Sequence, residues 1–257
     1  MLDAIGAAFG GGVIHRSSDP DHHRAVFTIR GEPGALARAV LAGAREAVRR
    51  IDLRDHEGVH PRVGAVDVVP IVYLDRTERG AACAEALVLA DLLGHELDLP
   101  VFLYGALAGG RTRADLRRGG PAALQQRIDA GELAPDAGPP RLHPTAGAVL
   151  VAARPPLVAF NVELAPPATL AEAKDIAARL RTELEGVRAL GLELERAGLV
   201  QVSTNIENLE RSTPADVVAA VRRHAAVQGA ELVAPAPRTA FESFPEDVPL
   251  HGAPLLE

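Results

Sequence analysis

The chain reads as an α+β protein in two parts, on three observations. Short alternating or β-branched runs are interspersed with longer amphipathic ones, without strict βαβα repetition. Both halves carry strands that helices can cover on one face. The Pro155-Pro156 pair separates the halves and marks a boundary. With 257 residues and 47% hydrophobic content, such a chain can bury a sizeable core.

The elements follow in order. Residues 1–9 carry an amphipathic helical pattern. Residues 17–24, SSDPDHHR, read as a polar loop leading into a strand at 25–30. Pro33 suits the first turn of a helix through 51, with Leu36, Ala37, Val40, Leu41, Ala44 and Val48 as its apolar stripe. Residues 65–73 are β-rich, and Pro70 predicts an edge position or a bulge. A helix over 77–95, a strand over 100–104, a Gly- and Arg-rich stretch over 106–120 and a helix near 121–130 come next. After a Pro-rich loop at 135–140, strands are expected at 148–152 and 157–164. Thr169 and Glu172 have capping-box spacing and predict a helix over 169–192. A strand at 199–206, a helix over 213–226 and a strand at 230–234 complete the pattern. The Pro- and acid-rich residues after 235 predict a loose tail.

Composition narrows the function classes. A single cysteine, Cys83, excludes a disulfide framework and a cysteine-based zinc cluster. A net charge of −7 argues against broad nucleic-acid binding. Lys174 is the only lysine; the arginine bias matches the Ala and Gly content and points to GC-rich coding. No signal peptide or apolar stretch of about 20 residues is visible, which predicts a soluble cytoplasmic protein without membrane or nucleic-acid partners.

The densest chemistry lies at His56-Glu57-Gly58-Val59-His60-Pro61-Arg62, with Asp67 close behind. It matches H-E-x-x-H, a zinc-hydrolase pattern. That reading requires a helix, and Pro61 opposes it. Pro61 biases His60 away from helical geometry and would clash with the Glu57 carbonyl. An extended loop suits the segment better. Imidazole is the usual proton carrier near neutral pH, and Arg62 and Asp67 could orient it or bind a carboxylate. A loop whose His and Arg only bond backbone is the alternative. Asp136, in a loop shaped by prolines and glycines, could accept amine or amide protons. Arg111, Arg113, Arg117 and Arg118 form either a solvated helix face or a site for an anionic tail.

Several motifs together resemble the glutamate formiminotransferase (formimidoyltransferase) family. DPDHHRAVFTIRG at 19–31 is similar to the family's D-x-x-x-N-R-x-V-x-T-x-x-G, and HEGVHPRVGAVDVVP at 56–70 to its H-x-G-E-H-P-R-x-G-A-x-D-V-x-P. LPVFLYG at 99–105, PDAGP at 135–139, AARPPLVAFN at 152–161 and VQVSTN at 200–205 match further segments. The resemblance covers residues 1–237. It implies two α/β sandwich (ferredoxin-like) subdomains, each a mainly antiparallel sheet covered by helices, with a folate groove between them. The expected parts are 1–155, lacking the family's first strand, then 156–237, then the tail 238–257. The family's opening P-N-F-S-E-G motif has no counterpart here, and a translation start assigned too far downstream is the expected reason.

The implied activity is transfer of a formimino group from N-formimino-L-glutamate to N5 of tetrahydrofolate, in histidine degradation. His60 matches the catalytic histidine, which takes the N5 proton and returns it to the leaving glutamate nitrogen through a tetrahedral intermediate. Tetrahydrofolate is the co-substrate and no metal is expected. Substrate contacts are expected from Arg62, Asp67, Asp19, Arg24, Asp136 and Arg154. Gly138, Pro139, Pro140, Arg141, Leu142, His143, Pro144, Thr145, Ala146 and Gly147 match the family's folate loop. A homodimer is the expected assembly, and 257 residues leave no room for the cyclodeaminase that some members carry. Departures are Val59 for Glu, His23 for Asn, Ala137 for Phe and Leu133 for Trp; the last two remove stacking surface for a pterin. A relative with a changed donor or acceptor, and a non-catalytic folate- or amino-acid-binding module, stay open as alternatives.

Overall fold

The computed structural model describes residues 1–58 and 60–256, so Val59, one of the departures above, lies outside the described residues. The chain divides into two compact units. The first comprises Met1–Ile14 and Ile29–Pro155, the second His15–Thr28 and Pro156–Glu257. Both mix helices and sheets.

The first unit is built on a three-stranded sheet of β3 (Val68–Val72), β5 (Val149–Arg154) and β4 (Val101–Leu103), in that order. Both pairings are parallel, which corrects the expected antiparallel sheet. The connection explains it. Between β3 and β4 runs α3 (Arg79–Leu97), and such a helical crossover returns the chain to the end where it started. Val149–Ala152 of the central strand are buried on both faces, hence their unbroken apolar run. Val149, Val151 and Ala153 pack with residues of α2 (Leu36–Arg50) and α3. Leu150 and Ala152 pack on the other side with Leu116 of α4 (Arg113–Arg117) and Leu124 of α5 (Gly120–Asp129). Period-two alternation along one strand thus fills two separate cores. Pro70 sits on an edge strand, where its missing N–H costs no ladder bond. The unit opens with α1 (Leu2–Ala8), whose Ile5 is buried.

The second unit has the chain order β6 (Val158–Leu164), α6 (Leu170–Glu183), β7 (Val187–Leu194), β8 (Leu199–Ile206), α7 (Pro214–Arg222), β9 (Val227–Leu232). These strands lie side by side as β9-β6-β8-β7, all antiparallel. The helix expected over 169–192 is two elements. Its capping box forms, with Thr169 Oγ1 accepting from the Glu172 N–H at 3.3 Å, but α6 stops at Glu183. Gly186 then takes a left-handed φ of +76°, and Val187–Leu194 continues as a strand whose burial alternates. The polar stretch expected as a loop at 17–24 is also different. Its first residues finish β1 (Val13–Asp19), which pairs with β2 (Arg24–Ile29) as a hairpin.

The tail is not loose. β11 (Leu250–Gly252) pairs with β9, and β12 (Leu255–Leu256) with β10 (Ala236–Pro237). Phe241, Phe244 and Phe160 stack edge-on or tilted, with ring centroids 5.6–6.0 Å apart. Aromatic burial outweighs the composition that predicts disorder.

Candidate active site

His60 lies on the segment that leads into β3. Asp52 begins the loop, accepting from the Arg54 N–H at 3.0 Å, and Leu53 N–H donates to the Thr145 carbonyl at 2.8 Å. Leu53, Gly58, His60, Pro61, Arg62 and Pro121 line an open concavity of about 400 Å³. His60 is half-buried at its wall.

Arg62 is committed to its own loop. Nη1 donates to the carbonyls of Gly58 (3.1 Å) and His60 (3.2 Å), and Nη2 to that of His56 (2.7 Å). One planar guanidinium thus gathers three carbonyls, a geometry its fork of N–H groups suits. Burial lowers the Arg62 pKa from its ordinary value, and Asp67 opposes that shift. Asp67 is engaged as well. One oxygen accepts from the Val63 N–H at 2.7 Å and the other pairs with Arg117. In this unit, then, Arg62 and Asp67 brace the histidine loop.

The segment 138–147 is fixed to the same loop. Gly64 and Gly147 form an antiparallel bridge, flanked by Ala65 N–H to Ala146 O and Ala148 N–H to Val63 O, both 2.9 Å. Gly147 has φ +68°, and a Cβ there would meet the Val63 oxygen at 2.1 Å. His143 tightens the turn. Its Nδ1 accepts from the Ala146 and Thr145 N–H groups at 3.0 and 3.3 Å, so the neutral ring carries its proton on Nε2. Gly138, at φ +81°, is pressed against the Leu99 carbonyl. Leu142 N–H is held by Gln125 at 2.8 Å. Pro140, Arg141 and Pro144 face outward from this frame, while Pro139 is half-buried.

The remaining expected residues divide. Asp136 accepts from the Leu103 N–H at 2.8 Å and pairs with Arg111, which also donates to Leu103 O at 2.9 Å. It extends the edge of β4. Arg154 ends β5 and donates to Pro155 O at 2.9 Å. Asp19 and Arg24 belong to the hairpin of the second unit. The basic run is neither wholly solvated nor a single patch: Arg118 pairs with Asp115, Arg117 with Asp67, and Arg113 lies 5.7 Å over the Tyr104 ring. Burial pushes the Tyr104 phenol up, against Arg113, Arg154 and Arg117. Tyr104 stands outside the sequence expectations; its arginine neighbours include Arg154, from a distant segment, and spacing carries no signal for that.

Residues 2–154 match the formiminotransferase domain, N-terminal subdomain. The chain belongs to the formiminotransferase family. It is 34% identical over 266 residues to the formimidoyltransferase-cyclodeaminase of Rattus norvegicus, covering 94% of this chain and 48% of that protein. It is 34% identical over 209 residues to the glutamate formimidoyltransferase of Streptococcus pyogenes serotype M1 (77% of this chain, 68% of that one). Against the glutamate formimidoyltransferase of Thermoplasma acidophilum it is 33% identical over 222 residues (83% and 72%). The chain spans about half the length of the rat protein it matches.

Proposed function

We propose that this chain is a glutamate formimidoyltransferase, moving the formimino group of N-formimino-L-glutamate to N5 of tetrahydrofolate. Histidine degradation is its proposed setting, the cytoplasm its place and a homodimer its assembly. One observation carries the reading. The histidine that matches the family's catalytic one stands at the wall of a concavity, on a loop braced by Arg62, Asp67 and the Gly64–Gly147 bridge.

His60 is assigned the proton work. It takes a proton from the attacking nitrogen and returns it to the leaving glutamate nitrogen. A single imidazole serves both steps because it exchanges protons readily near neutral pH. Holding its loop against a rigid frame supplies orientation, which is worth more to a two-substrate transfer than basicity alone. The folate is assigned to residues 138–147. Its fit is supported by a backbone locked at both ends and by Arg141, exposed on the outward side, a cation for the glutamyl carboxylates. Arg154 is the proposed contact for a substrate carboxylate. We take the second unit as a ferredoxin-like sandwich, on its βαββαβ order and its β9-β6-β8-β7 strand order. The test is turnover of purified chain with both substrates, followed by release of glutamate.

A further inference from the structure

Helix α3 carries a surface that the transfer reading leaves unused. Its inner face is core: Ala86, Leu89, Ala90 and Leu93 pack with α2 and with Val149 and Val151 of the sheet. Its outer face is apolar too. Over three turns it presents Gly80, Ala81, Ala84, Leu87, Val88 and Asp91, all exposed, with Asp91 the one charge among them. Spacings of three and four residues put them on one stripe. Leu87 and Val88 are 49% and 53% exposed. The chain reaches the Arg79 end of this helix from β3 through Leu74, which is 78% exposed and adds to the apolar surface there. A surface helix normally turns a polar face to water, and one that is apolar all round is normally covered all round.

The residues say what covers it. A lipid surface does not fit. No helix among the described residues is long and apolar enough to cross a membrane. Helices that lie on one are rich in Lys and Arg, whereas α3 has Arg79 against Glu85, Asp91 and Glu96. The stripe is instead complementary to itself. Small residues, Gly80, Ala81 and Ala84, fill its first half and large ones, Leu87 and Val88, its second. Two copies laid antiparallel about a twofold axis beside Ala84 and Leu87 set small against large, each Ala84 meeting the partner's Leu87. The same axis brings Arg79 to the partner's Asp91, twice, because a twofold contact repeats every pair. Both groups are available for that. Arg79 is exposed, and Asp91 pairs only loosely, at 3.3 Å, with the exposed His95 of its own helix. A parallel arrangement would instead set Asp91 beside Asp91 and Leu87 beside Leu87.

We propose that the outer face of α3 is an isologous interface, on which a second copy of this chain packs its own α3 antiparallel. The inference rests on the homodimer proposed above and assigns its surface; it does not rest on formimino transfer.

The test is sedimentation equilibrium of the full chain, wild type and variants. Expected is a wild-type dimer with a dissociation constant of about 10 µM or tighter. Leu87→Asp raises that constant at least about 100-fold, and melting curves control for folding. Arg79→Glu and Asp91→Arg each raise it about tenfold, and the two together return it to within about threefold of wild type. This charge exchange carries the test if Leu87→Asp does not fold. A monomeric wild type overturns both this interface and the homodimer. A dimer that Leu87→Asp leaves intact, or one that the double exchange does not restore, overturns the interface alone and leaves the homodimer standing.

Discussion

Gly64 and Gly147 pair backbone to backbone, and each leaves no room for a side chain on the other's segment. A Cβ on Gly64 would lie 1.7 Å from Ala148 O, and one on Gly147 2.1 Å from Val63 O. This bridge ties the loop of His60 to residues 138–147. Gly147→Ala adds left-handed strain to a collision with backbone that cannot rotate away. It is expected to destabilise the first unit by about 3 kcal/mol or more and to reduce turnover. Thermal melting and an activity assay of the same preparation check it; a variant with wild-type melting would place the glycines outside any structural role.

Arg62 gathers the carbonyls of His56, Gly58 and His60. If it positions His60, Arg62→Ala lowers kcat by about 10²-fold, the scale of a misplaced catalytic group, and leaves KM for the donor within a factor of about two. Arg62→Lys does little better, since an ammonium cannot fan to three carbonyls. A raised KM with unchanged kcat would return Arg62 to substrate binding.

Much of this architecture is readable in the residues, and the failures have physical causes. The apolar run of β5, the Thr169–Glu172 box and Pro70 each state their own local rule. Val187–Leu194 is rich in Leu, Ala, Glu and Arg, good helix formers, and its strand burial depends on β8 beside it. Val13–Asp19 has too few apolar residues to show alternation. Within the candidate site, His60 was legible because Pro61 forbids the helical reading. The residue types of Arg62 and Asp67 leave open whether they orient the loop or bind a carboxylate, because most of their partners are backbone groups, which no residue code announces.

The tail offers a direct check of packing against composition. Phe241 is buried beside Phe160 and Phe244. Phe241→Ala is expected to cost about 3–5 kcal/mol, the range for core phenylalanines. Denaturant unfolding measures it. A cost below about 1 kcal/mol would mean that the tail contributes no core.

Tyr104 sets an alkaline limit. Its phenol is pushed up in the folded unit. The folded state then keeps the proton at pH values where the unfolded chain, with an ordinary tyrosine near pH 10, releases it. Stability contributed by the neutral phenol is present below about pH 10 and falls as pH rises beyond it. Melting temperatures of wild type and Tyr104→Phe should diverge in that range, the wild type losing more. Parallel curves would count against it.

The most direct test of the central claim is the rate of formimino transfer from N-formimino-L-glutamate to tetrahydrofolate by wild type and His60→Ala, side by side. The account predicts turnover by the wild type, a loss of at least about 10²-fold in the variant, and nearly equal melting temperatures, since His60 sits half-exposed at the wall of the concavity. Equal rates in both proteins would contradict it.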